Sequence, residues 1–229
     1  MPHRRGVLLA TALILVLGGC SGESGPVSPS PSVDDTIAIP PPGSSPSETP
    51  GPGVTTPGIR MTAVPRSDGS FDMVEDVILP EAADSLQVQV PTSGELLPGL
   101  MTKTAPRASD LQLLADDSVV PLDTSTVDTT RDLTLPTPAT KLRLTYRLTG
   151  TTVRRTPQRP QRAAAALRPL LAPDEDTLPT SVSVSSGLLN AVCPLLTETR
   201  CAVGDPPNLT IRPDIPASQA LVVIQLDLP

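Results

Sequence analysis

Between Lys141 and Thr149 the chain alternates without a break, Leu142, Leu144, Tyr146 and Leu148 against Lys141, Arg143, Thr145, Arg147 and Thr149. A period of two sends these sets to opposite faces of an extended strand, one buried and one wet. The same signature recurs in shorter runs. Leu86, Val88 and Val90 alternate with glutamines, Val182 and Val184 with serines, and Val222, Ile224, Leu226 and Leu228 form a last apolar row against Gln225 and Asp227. Weaker strands are expected at residues 110–114 and 118–122, joined at Asp116-Asp117, then at 131–135 and 208–212. Half-polar strands suit antiparallel sheets with one face in water rather than a buried parallel sheet. The expected fold is therefore all-β, an antiparallel immunoglobulin-like β-sandwich over residues 59–229. A domain of about 170 residues can bury close to 70% of its unfolded surface, enough for one core. No internal repeat points to a propeller or solenoid.

One segment departs from the pattern. Residues 161–167 (QRAAAAL) have high helix propensity and are stopped by Pro169, so one short helical crossover is expected there. Around it lie Arg154, Arg155, Arg159, Arg162 and Arg168, with Asp174, Glu175 and Asp176 following as an acidic counterpart. The segment reads first as a solvated crossover between sheets, its charges neutralised by residues 174–176. The alternative is that the five arginines are a binding patch for an acidic envelope polymer or a partner protein.

Ahead of the strands, residues 20–58 are crowded with proline, serine, glycine and threonine, as in SPSPS and PPPGSSPSETPGPG. Such a stretch cannot bury enough apolar surface to offset its ordering entropy, and a disordered, semi-extended tether is expected.

Residues 1–19 read as a targeting segment. His3, Arg4 and Arg5 form a positive start, and residues 6–19 are uncharged and almost wholly apolar. Fourteen helical residues rise only about 21 Å against roughly 30 Å of hydrocarbon, too short for a comfortable span. The run ends in Leu17-Gly18-Gly19-Cys20, which resembles the lipobox of bacterial lipoproteins. That resemblance implies removal of residues 1–19, a diacylglycerol on the Cys20 thiol, and lipid anchoring at the outer face of the cell membrane.

In an exported chain the other two cysteines, Cys193 and Cys201, eight positions apart, read most simply as one disulfide. A metal or redox role is set aside, because Cys-x-x-Cys spacing is absent and the only histidine, His3, leaves with the targeting segment. The chain carries 17 Lys+Arg against 24 Asp+Glu, a balance that argues against nucleic acid and against broad adhesion to anionic lipid. Phe71 and Tyr146 are the only aromatics, so stacking platforms for sugars or single-stranded nucleic acid lose ground.

Hydrolytic constellations usually need a base beside a nucleophile, most often histidine. With no histidine beyond His3, no Ser-x-x-Lys, no calcium or phosphate loop and scattered turn carboxylates, neither catalysis nor a cofactor is expected. The sequence leaves a lipid-anchored, non-catalytic sandwich that binds an envelope protein or wall polymer. Its alternative is a lipoprotein that captures a small or apolar molecule for delivery to a membrane protein.

Overall fold

The computed structural model describes residues 51–90, 93, 97, 99–172 and 177–229. The Leu17-Gly18-Gly19-Cys20 motif, residues 20–50 of the expected tether and the acidic residues 174–176 lie outside the described residues. Within them the alternating runs become fourteen strands: β1 (Gly58–Pro65), β2 (Phe71–Val88), β3 (Arg107–Ala115), β4 (Ser118–Val120), β5 (Arg131–Thr149), β6 (Thr152–Arg154), β7 (Gln161–Leu167), β8 (Leu171–Ala172), β9 (Pro179–Val184), β10 (Leu188–Val192), β11 (Ala202–Val203), β12 (Thr210–Ile211), β13 (Ile215–Pro216) and β14 (Val222–Leu228). The larger sheet runs β13-β9-β1-β2-β5-β3-β4, with β8 added to β2, and the smaller runs β10-β14-β7-β6. β11 and β12 form a separate two-stranded ribbon.

The two larger sheets share one core in a sandwich-like arrangement. Ile59, Met61, Phe71, Met73, Leu144 and Leu148 from the larger sheet join Ala165, Leu167, Val222, Ile224 and Leu226 from the smaller in a single buried cluster. The pairs are antiparallel with one exception. β9 lies parallel to β1, Met61 facing Val182, because the chain reaches that edge by a crossover rather than a hairpin.

Residues 161–167 are a strand, not the expected helix. β7 lies between β14 and β6 in unbroken register, from Gln161 opposite Leu228 to Leu167 opposite Val222. A seven-residue helix carries its full nucleation cost, whereas a central strand gains ladder hydrogen bonds on both edges. The alanines also fit a strand covered on both faces. Ala163 and Ala165 enter the main core, while Ala166 meets Leu97, Met101, Leu221 and Val223 on the far side of the sheet.

Two expected strands, 131–135 and 141–149, are one strand, β5. Pro136 and Pro138 fall where β5 lacks a regular partner on β2, between the pairs Thr134–Ser85 and Ala139–Ala83, so the ladder loses no donor to them. The Asp116-Asp117 turn forms as expected, with φ of 44° and 66° at the two aspartates. Residues 51–57, tether-like in composition, fold into a turn. Gly53 N–H donates to Thr56 O at 3.0 Å, and a Cβ on Gly53 would meet Arg60 N and Asp76 O at 2.5 Å.

Cys193 and Cys201 form a disulfide, Cα–Cα 5.8 Å, with both residues buried. It closes the loop that follows β10, where Cys193 N–H also donates to Thr199 O at 2.7 Å. Closing so short a loop contributes about 2–3 kcal/mol. Cys193→Ser with Cys201→Ser should therefore lower the melting temperature by roughly 5–10 °C. An unchanged melting temperature in a scan of the two proteins would show that the bridge adds nothing.

Candidate functional site

The most unusual side chain in the core is Glu75. β2 places Phe71, Met73, Glu75 and Val77 on its inner face, so the period that buries its neighbours buries the carboxyl as well, at 0% exposure. Three donors converge on it. Tyr146 Oη donates to Oε1 at 2.5 Å, Leu170 N–H donates to Oε1 at 2.6 Å, and Leu171 N–H donates to Oε2 at 3.3 Å. Burial pushes the Glu75 carboxyl from 4.5 up to about 7, against the downward pull of those three hydrogen bonds. Burial, with the neighbouring Glu75 charge, also holds the Tyr146 hydroxyl well above its ordinary range.

The arrangement ties Leu170 and the start of β8 to the sheet. Leu170 and Leu171 have left β7 and would otherwise bring two unpaired amides into the core. A carboxylate and a phenol could exchange a proton, but Glu75 is sealed from solvent, and the hydrogen bonds around it are structural.

Four of the five candidate arginines, Arg154, Arg155, Arg159 and Arg162, lie exposed on the β6–β7 hairpin, where Arg155 N–H donates to Arg162 O at 2.7 Å. Arg154 Nη2 donates to Ser67 O at 3.3 Å, and Arg155 Nη2 donates to Leu100 O at 2.8 Å. Arg162 lies 3.6 Å from Asp227, its neighbour across the β7–β14 pair, and the acidic counterpart expected at 174–176 lies outside the described residues. Arg168 is half-buried, and burial lowers its guanidinium below the ordinary value. Arg159 is exposed.

A groove of about 390 Å³ runs along residues 79–87 of β2. It is open to solvent, and its lining mixes Leu79, Leu86, Leu171 and Leu178 with Glu81 and Asp84. Glu75 does not line it. Among the described residues no three His, Cys, Asp or Glu side chains converge as a metal-ligand group. Both aromatics, Phe71 and Tyr146, are buried, so the surface of the protein offers no ring described there for a base or sugar to stack on.

No family model matches the chain, and no curated protein matches it. Among solved structures it is similar to an M1 zinc metallopeptidase from Deinococcus radiodurans, at 19% identity and a TM-score of 0.36. The match covers 73% of this chain and 40% of that one, so this chain spans less than half the length of the peptidase.

Proposed function

We propose that the protein is an exported lipoprotein, anchored through Cys20, that displays a non-catalytic β-sandwich for binding at the cell envelope. The observation that supports the binding half is the continuous apolar core. One apolar cluster runs from sheet to sheet, and the 390 Å³ groove is a shallow, partly acidic surface feature rather than an enclosed apolar cavity. A carrier of small apolar molecules needs a concave, largely buried site. The buried Cys193–Cys201 disulfide supports an oxidising compartment outside the cytoplasm. The anchor rests on the Leu17-Gly18-Gly19-Cys20 motif.

Cys20→Ala tests the anchor. In cells fed an alkyne-tagged fatty acid, the unaltered chain should take up label and run as the shortened form. The variant should carry no label and accumulate at precursor size. Labelled, shortened Cys20→Ala protein would refute the assignment.

A further inference from the structure

The outer face of the larger sheet is ordered in rows across β9, β1, β2, β5 and β3. One row holds Arg60, Asp76 and Arg143, in register across three strands. Four residues along, Asp72 stands opposite Arg147 and takes a second guanidinium, Arg66, from the β1–β2 turn. Between them runs an uncharged row, Ser183, Thr62, Val74, Thr145 and Gln112. The outer rows stand about 13 Å apart, from the rise of a strand.

The aspartates hold the guanidinium groups without consuming them. Arg143 donates through Nε to Asp76 at 2.6 Å, leaving both terminal nitrogens outside that bond. Arg66 reaches Asp72 through Nη1 at 2.7 Å, and Arg147 does so through Nε and Nη2, each at 3.2 Å. Burial raises the Asp72 carboxyl, but the two arginines outweigh it and hold it below its ordinary value. With Lys141 beside Ile78, the face carries five cations against two carboxylates within its rows, and its rim adds Asp68 near Arg66 and Arg147, Asp116 accepting from the Lys141 amide, and Asp117 near Arg143. The chain as a whole has the opposite balance, 17 cations to 24 acids.

We infer that this face docks a partner protein that presents carboxylates on both sides of a small apolar patch. An uncharged centre bordered by oriented arginines has the anatomy of a protein interface, and charge complementarity selects an acidic occupant. A wall glycan fits less well, because no aromatic ring is available to stack on it and Val74 and the threonine methyls would face a polar chain. Five strands by eight residues give a face of roughly 500 Å², the low end of specific contacts, so the complex is transient. The inference rests on the proposed binding role and names the surface that performs it.

A photo-crosslinking amino acid placed in the full chain, in intact cells, tests it. The positions are Thr145 at the centre of the face and, as controls, the exposed Val119 and Val203. A protein adduct should form from Thr145 and survive digestion of the wall. Its yield should fall about tenfold in Arg60→Glu/Arg143→Glu and rise in low salt. If protease sensitivity shows the charge-reversed chain to be unfolded, Arg60→Gln/Arg143→Gln gives the same reading. Adducts only from Val119 or Val203 would overturn this face while leaving the binding role intact. Adducts from none of the three would count against the binding role itself. An adduct to wall material or to a second copy, or one indifferent to the charge change, would also overturn it.

Discussion

Glu75→Ala should lower the stability of the domain by about 3–5 kcal/mol, since it strands three buried donors at once and leaves a cavity. The Leu170 and Leu171 amides and the Tyr146 hydroxyl would all lose their acceptor. Glu75→Gln keeps an oxygen for two of them and should cost about 1–3 kcal/mol. The same residue sets a pH dependence. Its folded value, about 7, lies above the 4.5 of the unfolded chain, so the folded state binds the proton more tightly. The stabilisation is fully present below pH 4.5 and is lost as pH rises through about 7, a fall of about 3 kcal/mol for the isolated effect. Asp68 is lowered by its hydrogen bonds from Ser70 and Asp72 by its arginines, and the only histidine is His3. Denaturant melts from pH 5 to 8 should show stability falling with pH in the unaltered chain and a flat profile in Glu75→Gln. Parallel profiles, or stability rising with pH, would contradict this account of Glu75.

Glu75 also shows why parts of the fold were hard to read. Residues 71–79 alternate as cleanly as residues 141–149, but Glu75 stands in the apolar row and Val74 and Ile78 stand in the wet one, so neither row looks uniform. The strand that carries the buried carboxyl was therefore missed, and the carboxyl with it. An acid in phase with Phe71, Met73 and Val77 was the available signal. Residues 141–149, 182–184 and 222–228 were legible because one face is apolar throughout or nearly so. The alanine run misled for a different reason. Local propensity favours a helix, and only the neighbours β14 and β6, with residues 97–101 over the outer side, make a strand the better solution. The disulfide was legible from two cysteines in an exported chain. The rows on the outer face were not, because they depend on the register between β1, β2 and β5.

Phe71→Ala should cost about 3–5 kcal/mol and lower the melting temperature by more than 10 °C. Phe71 is the chain's one phenylalanine, fully buried between Pro65 and Leu148 at the start of β2. The surrounding core is built largely from leucine, isoleucine, alanine, valine and methionine, and truncation there leaves a cavity that the two paired sheets cannot collapse to fill. Phe71→Leu, which keeps most of the volume, should lose less than half as much. Added benzene should partly restore Phe71→Ala, because a dry apolar cavity accepts it. No recovery, together with a loss as small as that of Phe71→Leu, would mean that the core rearranges. Stability and binding separate at this residue. Asp72, the next residue along β2, points to the opposite face, where it holds Arg66 and Arg147. Below its melting temperature, Phe71→Ala should therefore still crosslink to a partner through Thr145 at the unaltered yield. The reverse holds for Arg60→Glu/Arg143→Glu, which should cut capture about tenfold and leave the melting temperature within about 2–4 °C, as expected for exposed charges worth at most about 1 kcal/mol. A loss of capture in Phe71→Ala at a temperature where it is folded would place the contact within the core's reach and take it away from the outer rows.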